Sequence, residues 1–340
     1  MLAENFIIIG ENIHCSRTWK RSGRRVGTEP GGRAAILYEV QGQGKFLPIP
    51  EHFLQSADWA NGKIKHCAVA IWQGLYGTGA DGACGLEYLH ALVQQQEEAG
   101  AAFLDINVDD FSMDLAERIQ AMTWTAAQVQ RASALPLSID SSHVDIMRAG
   151  LQACQRSHAR PLLNSISLER LALLDLLAEY QPAVVASAAG VAQLPASTAE
   201  RLANLEQLIP QLLARGLARE WIHVDPLVYT LATDQHNGRI FLESVAAVRR
   251  VYGGDLPIIG GLSNISFGLP RRQLINQVFA WLMLQAGGSG GIVDPLQVNA
   301  RLLSALDSQT PAFQLTRDFL EGRDDFGLNF IAAYRAGRLG

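Results

Sequence analysis

The sequence predicts an α/β fold, a single (β/α)8 TIM barrel with a long insertion between strands 1 and 2. Short apolar runs recur along the chain, and helix-like stretches separate them, which is typical of a parallel βα architecture. The runs are continuously apolar instead of alternating, as expected of strands covered on both faces. Eight runs are present: Phe6–Gly10, Ala102–Asn107, Pro136–Asp140, Pro161–Ser165, Ala183–Ser187, Trp221–Asp225, Leu256–Gly260 and Gly290–Val293.

The stretches between the runs resemble helices that end at a glycine. Leu86–Ala99 precedes Gly100, and Leu202–Ala214 is closed by Gly216. Glycine favours the position just past a helix because it adopts a positive φ without steric cost. The chain has 340 residues, 48 % of them hydrophobic, so it can bury one large core, and we expect one domain over residues 1–340.

The connection between the first two runs is the exception, because its roughly ninety residues far exceed one crossover helix. The insertion covers about residues 15–85 and is rich in glycine and aromatic residues. It begins with a basic cluster formed by Arg17, Lys20, Arg21, Arg24 and Arg25. Loops after barrel strands carry function. The segment is therefore interpreted as a lid or a partner-docking element, with a solvent-exposed ornamental loop as the alternative.

Composition and charge exclude several classes of protein. A net charge of −5 argues against binding nucleic acid by phosphate neutralisation. No apolar stretch reaches the roughly 18 residues of a membrane span. The N-terminal residues have an acidic side chain before a short apolar run and no basic region, so they predict a first strand instead of a signal peptide. We expect a cytoplasmic protein.

The four cysteines show no CxxC pair and no zinc-ligand spacing with histidine. They are expected to be reduced thiols, although His66-Cys67 and Cys15 leave a metal or redox role as the alternative. No HExxH is present, and no metal site is predicted. Gly287–Gly291 is interpreted as the turn into the eighth strand, and no nucleophile elbow is predicted. His143 is expected at a helix cap or on the surface, and His223 in the core.

The most informative feature is a set of polar side chains where apolar runs end. Asp140, Asn164 and Asp225 close three runs, and Asn264 follows a fourth after Gly261 and Ser263. In a parallel barrel these ends meet at the active-site mouth. A carboxylate there can accept two hydrogen bonds from an N–C–N edge, and an amide both donates and accepts. The alternative for each aspartate is to cap the following helix.

Three further polar residues extend this set. Asp105 and Asn107 alternate on the second run and therefore point to the same face. Glu11 lies just after the first run. These residues either bind the ligand at the mouth together with the first set or form a polar layer beneath the pocket.

Several strings together resemble the pterin-binding methyltransferases, which move a methyl between tetrahydrofolate and a corrinoid. Relatives include the corrinoid iron–sulfur protein methyltransferase and the folate module of cobalamin-dependent methionine synthase. The resemblance covers residues 1–14 and about 86–300. The strings are Ile9–His14, Asp105–Val108, Ile139–Ser142, Asn164-Ser165, Asp225–Leu227 and Gly261–Pro270, the last followed by Arg272–Asn276.

The resemblance implies roles for individual positions. Asp140, Asn164 and Asp225 match residues that bind the pyrimidine edge of the pterin, and Asn264 matches the asparagine at the methyl-bearing N5. The remaining implied substrate contacts are Gly261 and Ser263 lining the pocket, Arg272 near the folate tail, and Asp105, Asn107 and Glu11 at matching strand ends. The chain has no cobalamin-binding DxHxxG, so the resemblance implies a corrinoid supplied by a separate protein. It further implies a homodimer and a role in one-carbon metabolism or demethylation, with tetrahydrofolate or 5-methyltetrahydrofolate as substrate.

Two alternatives remain open. Dihydropteroate synthase would read a pterin with the same aspartates and asparagines, but its Ser-Arg-Lys string is here Ser263-Asn264-Ile265, and its Asp-Ser-Phe-Ser-Asp loop is missing. A non-catalytic folate-binding subunit is the second alternative, and the presence of Asn264 disfavours it. The prediction is a tetrahydrofolate- and corrinoid-dependent methyltransferase.

Overall fold

The computed structural model describes residues 3–154 and 159–339, so residues 1, 2, 155–158 and 340 of the predicted domain lie outside the described residues. The strands in the described residues are β1 Ile7–His14, β2 Thr18–Lys20, β3 Val26–Thr28, β4 Ala34–Val40, β5 Gln43–Pro48, β6 Lys63–Lys65, β7 Phe103–Asn107, β8 Leu137–Asp140, β9 Leu162–Ile166, β10 Ala183–Ser187, β11 Ile222–Asp225 and β12 Gly290–Val293.

Helices follow most of these strands. They are α1 Glu51–Leu54, α2 Ala57–Ala60, α3 His66–Tyr76, α4 Ala80–Glu98, α5 Leu115–Ala132, α6 Val144–Ala153, α7 Leu174–Tyr180, α8 Thr198–Ala214, α9 Asn237–Tyr252, α10 Arg272–Gln285, α11 Ala300–Ser304, α12 Pro311–Leu320 and α13 Leu328–Arg335. A 3₁₀ helix over Leu262–Ser266 precedes α10. In α8 a capping box forms between Ser197 and Glu200, which explains why the helix starts before the predicted Leu202. Among the described residues, no helix is long and apolar enough to cross a membrane.

The largest sheet has seven strands in the order β11-β10-β9-β8-β7-β1-β12. The pairs β1–β12, β7–β8, β9–β10 and β10–β11 are parallel. The prediction of an α/β fold with a parallel sheet is confirmed, and seven of the eight apolar runs are strands of it. All five residues of β10 are buried, as expected of a strand covered on both faces.

The remaining predicted run, Leu256–Gly260, is the seventh in chain order. It differs from a regular strand because it makes only isolated bridges. Val224 N donates to Pro257 O at 2.8 Å on one side, and Ile292 N donates to Gly260 O at 2.9 Å on the other. Proline lacks an N–H and glycine has no side chain to pack, so both weaken regular strand pairing here.

Two compact units are distinguished in the chain. The first unit comprises residues 1–10, 99–102 and 162–340 and contains β9–β12 and α7–α13. The second unit comprises residues 11–98 and 103–161 and contains β2–β8 and α1–α6. The first unit buries its strands and the inner faces of α8, α9 and α10. Among the buried side chains are Phe241 and Phe279, whose ring centroids lie 5.2 Å apart with the rings tilted by 45°. Burying one large apolar side chain completely stabilises the folded state by about 1.5–3 kcal/mol relative to leaving it exposed.

The predicted insertion, residues 15–85, is built from regular elements of the second unit. β3, β4 and β5 form an antiparallel sheet, and β2 pairs antiparallel with β6. Part of its basic cluster is held locally: Arg21 lies 4.6 Å over the ring of Trp59, and Arg25 lies 4.6 Å over Trp19. These cation–π contacts hold both arginines against aromatic side chains of the same segment. All four cysteines are free, in line with the expectation of reduced thiols.

Candidate active site

Three strands of the second unit assemble a buried polar cluster. In the β7–β8 register Asn107 lies opposite Asp140. The N–H of Cys15 donates to the carbonyl of Asn107 at 2.8 Å, which places His14, the last residue of β1, beside β7. His14 Nε2 lies 2.6 Å from Asp105 Oδ2, and Asp105 is fully buried. The strand ends therefore bring together side chains that are far apart in sequence.

Asp140, at the end of β8, accepts a hydrogen bond from a side chain of the neighbouring strand β7. Asn107 Nδ2 donates to Asp140 Oδ2 at 2.9 Å, and Asn107 Oδ1 accepts the N–H of Asp109 at 3.0 Å. Asp140 does not cap the next helix, because α6 begins at Val144 and His143 is its N-cap. The expectation that His143 lies at a helix cap is confirmed. The other oxygen of Asp140 has no hydrogen-bond partner among the described residues.

The charges of this cluster shift two pKa values. Burial opposes a charge on His14, but the hydrogen bond and charge of Asp105, with the charges of Asp140 and Glu11, raise its pKa to about 9. Burial and the negative charge of Asp105 raise the pKa of Asp140 to about 7, although His14 and the Asn107 hydrogen bond act in the opposite direction. At neutral pH His14 is therefore protonated, and Asp140 is only partly ionised.

Donor atoms of His14, Asp105 and Asp140 all lie within 4.8 Å of one another, which is the spacing of a metal site. In this structure His14 and Asp105 instead pair directly, and Asn107 occupies one oxygen of Asp140. A histidine with a raised pKa is a poor metal donor, because metals bind the neutral imidazole. The geometry favours an ion pair.

Sequence reasoning missed two residues of this cluster. His14 lies beyond the predicted first run, which ends at Gly10, and Ile13 is the single apolar residue in Glu11–His14 that signals a continuing strand. Asp109 accepts Ser141 Oγ at 2.5 Å and the Ser142 N–H at 2.7 Å, and so fixes the loop after β8. Glu11 lies at the edge of the cluster, 3.0 Å from Arg17 Nη1.

Asp225 lies at the end of β11 in the first unit. Its carbonyl accepts the N–H of Ala188 at 2.9 Å, and its Oδ1 accepts the N–H of Leu227 at 2.8 Å. It does not cap a helix, since α9 begins only at Asn237. Burial raises the pKa of Asp225 to about 6, although the Leu227 N–H and the charge of Arg201 oppose this. Its second carboxylate oxygen has no hydrogen-bond partner among the described residues.

Asn264 is displayed by the 3₁₀ helix over Leu262–Ser266. Its side chain is exposed, and a Cβ added at Gly261 would meet its Nδ2 at 3.0 Å. Arg272 supports the segment from α10: its Nη2 donates to Ser263 O at 3.0 Å and its Nε to Ser266 Oγ at 3.1 Å. Gly261, Ser263, Asn264 and Arg272 thus form one local structure.

Asn164 is buried in β9, opposite Val185 of β10. The predicted site residues divide between the two units. Glu11, Asp105, Asn107 and Asp140 lie in the second unit, and Asn164, Asp225, Gly261, Ser263, Asn264 and Arg272 in the first. Asn107, Asp140 and Asp225 are the last residues of their strands, as predicted. Glu11 and Asn164 instead lie inside β1 and β9, which continue past the predicted runs, and Asp105 lies in the middle of β7. His223 is buried as expected.

These features agree with a comparison of the sequence with known families. Residues 82–294, well over half of the chain, match the family described as pterin binding enzyme. The chain belongs to this family. The resemblance predicted from the sequence is therefore confirmed.

Among curated proteins, the chain is 29 % identical over 250 residues to the methylcorrinoid:tetrahydrofolate methyltransferase of Eubacterium limosum. This match covers 72 % of the chain and 86 % of that protein. The chain is 30 % identical over 216 residues to the methionine synthase of Mycobacterium tuberculosis, covering 59 % of the chain and only 18 % of the larger protein. The prediction of a methyltransferase is confirmed, because these relatives are named as methyltransferases or methionine synthase.

Among solved structures, the dihydropteroate synthase of Xanthomonas albilineans in complex with 7,8-dihydropteroate has a TM-score of 0.53 and 20 % identity, covering 65 % of this chain and 83 % of that one. The Yersinia pestis enzyme has a TM-score of 0.52 and 17 % identity, covering 68 % and 89 %. At this identity the likeness shows the fold alone.

Proposed function

We propose that the protein transfers a methyl group between N5 of tetrahydrofolate and the cobalt of a corrinoid carried by a separate protein, in one-carbon metabolism or demethylation. The observation that carries the proposal is the match over 86 % of a protein named methylcorrinoid:tetrahydrofolate methyltransferase. The name of that relative pairs a methylcorrinoid with tetrahydrofolate, which supports these two substrates.

The pterin would be recognised by Asp140, Asn164 and Asp225. Asp140 and Asp225 each keep one carboxylate oxygen without a hydrogen-bond partner among the described residues. Both residues are only partly buried, so this oxygen is open to a donor group of a ligand. The N–H groups of a 2-amino-4-oxo pyrimidine edge are suitable donors. Asp105, Asn107 and Glu11 would support this contact from the cluster around His14.

The methyl-bearing nitrogen would lie at Asn264. A tertiary amine is a poor leaving group, so N5 must gain positive character in the transition state. The Asn264 amide presents either its oxygen or its NH2 group, so its oxygen accepts the developing N–H as the methyl leaves. The contact accelerates transfer because it is strongest in the transition state. The reduced corrinoid supplies the nucleophile when bound.

Gly261, Ser263 and Arg272 position that amide. Gly261 provides the space beside Asn264 Nδ2, and the two Arg272 hydrogen bonds hold the 3₁₀ helix that displays it. Rigid support of this kind matters, because small displacements of a catalytic group reduce the rate strongly. The resemblance also assigns Arg272 to the folate tail.

Four expectations stay predictions: closure of the sheet into a (β/α)8 barrel, a lid or docking role for residues 15–85, a homodimer, and a cytoplasmic location. Light scattering of the purified protein tests the homodimer. Deletion of β3–β5, followed by titration with a corrinoid protein, tests the docking role.

The central experiment titrates the purified protein with 5-methyltetrahydrofolate and then adds Co(I) cobalamin while its absorbance is followed. We expect binding and rapid loss of the Co(I) signal, with transfer abolished in Asn264→Ala and retained in Asn61→Ala, an exposed asparagine at the end of α2. Absence of folate binding would refute the pterin assignment. Binding without transfer to free cobalamin or to a corrinoid protein would refute the methyl-transfer step.

A further inference from the structure

A short segment of the first unit joins two of the proposed substrate contacts. Asp225 ends β11, and the spacer, residues 226–231, follows it directly. At the end of the spacer, the N–H of Leu231 donates to the carbonyl of Ile265 at 3.1 Å. Ile265 is the residue after Asn264 in the 3₁₀ helix. The chain that leaves Asp225 is therefore bonded to the element that displays Asn264.

The side chain of Thr230 makes a second link to the same element. Its hydroxyl donates to the carbonyl of Phe267 at 2.8 Å. A hydroxyl has one proton to donate, so the longer approach of 3.5 Å to the carbonyl of Ile265 is secondary. Phe267 closes the 3₁₀ helix, and its own N–H donates to the carbonyl of Asn264 at 3.1 Å. Thr230 therefore holds the end of the helix that carries Asn264.

The beginning of the spacer is fixed as well. Leu227 donates its N–H to Asp225 Oδ1 at 2.8 Å and adopts the left-handed region at a φ of 71°. A residue with a side chain keeps this conformation only where the surrounding structure holds it. The centre of the Tyr229 ring lies 5.0 Å from the guanidinium carbon of Arg201, a fully buried residue of α8. The spacer is therefore anchored to Asp225 and to α8.

Asn237 orients Thr230 from the opposite side. It is the buried first residue of α9, and its Nδ2 donates to the carbonyl of Thr230 at 2.8 Å. The Thr230 hydroxyl also accepts the N–H of Ala232 at 3.2 Å, which leaves its proton for the carbonyl of Phe267. Both the backbone and the side chain of Thr230 are thus fixed, and the hydroxyl forms a defined bridge to the 3₁₀ helix.

We propose that Thr230 is a positioning residue that keeps the Asn264 amide at a constant separation from the Asp225 carboxylate. The inference rests on the proposed function. A pterin is a rigid fused ring, so the distance between its pyrimidine edge and N5 is constant. When Asp225 binds that edge, N5 reaches Asn264 only if the two side chains keep a matching separation. Transfer depends on this alignment, whereas binding of the pyrimidine edge does not.

The test measures two quantities in the wild type, Thr230→Val and Thr230→Ser. They are the Kd for 5-methyltetrahydrofolate and the single-turnover rate constant of transfer to Co(I) cobalamin at saturating folate. Valine has nearly the shape of threonine without its hydroxyl, and serine keeps the hydroxyl. We expect Thr230→Val to lower the rate constant about tenfold while Kd stays within about twofold of the wild type. Thr230→Ser should retain the wild-type rate constant.

Thr316→Val is the matched control in the same unit. It removes a threonine hydroxyl that donates to the carbonyl of Ala312 at 2.7 Å within α12, away from the 3₁₀ helix. We expect a wild-type rate constant for this variant. Partial unfolding of any variant lowers the amplitude of the single turnover and leaves its rate constant unchanged, so the readout separates positioning from loss of structure.

Three outcomes would overturn the proposal. They are a wild-type rate constant in Thr230→Val, a loss in Thr230→Val confined to Kd, and equal slowing in Thr230→Val and Thr230→Ser. Absence of transfer in the wild type would instead refute the proposed function, and this inference with it.

Discussion

Replacing His14 with glutamine is expected to lower the free energy of unfolding below pH 7 and to have little effect above pH 9. Asp105 and its neighbours raise the pKa of His14 from 6.5 to about 9 despite its burial. A pKa raised by folding stabilises the native state fully below the unfolded pKa, and this contribution disappears as the pH rises through the folded pKa. The window of loss is therefore pH 6.5 to 9.

The magnitude follows from the same values. The pKa rises from 6.5 to about 9, and one pKa unit corresponds to about 1.4 kcal/mol, which gives an upper limit of about 3 kcal/mol below pH 6.5. Glutamine preserves a hydrogen-bonding group opposite Asp105 and removes only the charge.

The assay is urea unfolding of the wild type and His14→Gln at pH 6, 7.5 and 9.5, with equal m-values as a check that the denatured states are comparable. His52→Gln is the matched control in the same unit: burial lowers the pKa of His52, so its removal should give a difference that is constant above pH 7. Asp140 also costs stability as the pH rises from 3.8 to about 7, and in His14→Gln this loss extends to higher pH, because the His14 charge no longer lowers the pKa of Asp140. A His14→Gln difference that stays constant from pH 6 to 9.5 would refute the ion pair with Asp105.

Three further predictions concern the binding and transfer steps. Gly261→Ala should slow methyl transfer with little change in unfolding temperature, because its Cβ meets Asn264 Nδ2 at 3.0 Å; an unchanged single-turnover rate would contradict this. Asn107→Ala removes a hydrogen bond that lowers the pKa of Asp140, so the pH at which folate affinity is half-maximal should move upward, and isothermal titration from pH 6 to 9 checks the direction. Arg272→Gln loses the bonds to Ser263 and Ser266 and should lower the transfer rate about tenfold, corresponding to about 1.4 kcal/mol; a change confined to folate affinity would assign Arg272 to the folate tail instead.

The strand ends were predictable because each polar residue follows an apolar run, and this local pattern is read directly from the sequence. The pairing of Asn107 with Asp140 was not predictable, because it depends on the register between β7 and β8. The bond between His14 and Asp105 depends in the same way on the approach of β1 to β7 across 91 residues of chain. Arg201 was missed because a single arginine in a helix normally lies in solvent, and only the fold shows that it is buried.

The insertion marks a different limit of the sequence. Its antiparallel strands β3–β5 alternate only partly between buried and exposed residues, and short strands with glycine and polar residues give a weak pattern. The irregular seventh segment at Pro257 was predicted as a strand because its residues are apolar, although proline disfavours regular pairing.

The two aspartates show why a stable fold retains costly groups at these strand ends. Burial raises the pKa of Asp140 to about 7 and that of Asp225 to about 6. Ionisation of either group near neutral pH therefore lowers the free energy of unfolding. Each is given one protein donor, Asn107 Nδ2 or the Leu227 N–H, on one carboxylate oxygen only. A second protein donor would lower both pKa values further and stabilise the protein, but it would occupy the oxygen that a ligand needs. In the proposed function, the half-satisfied carboxylates thus exchange stability for ligand binding.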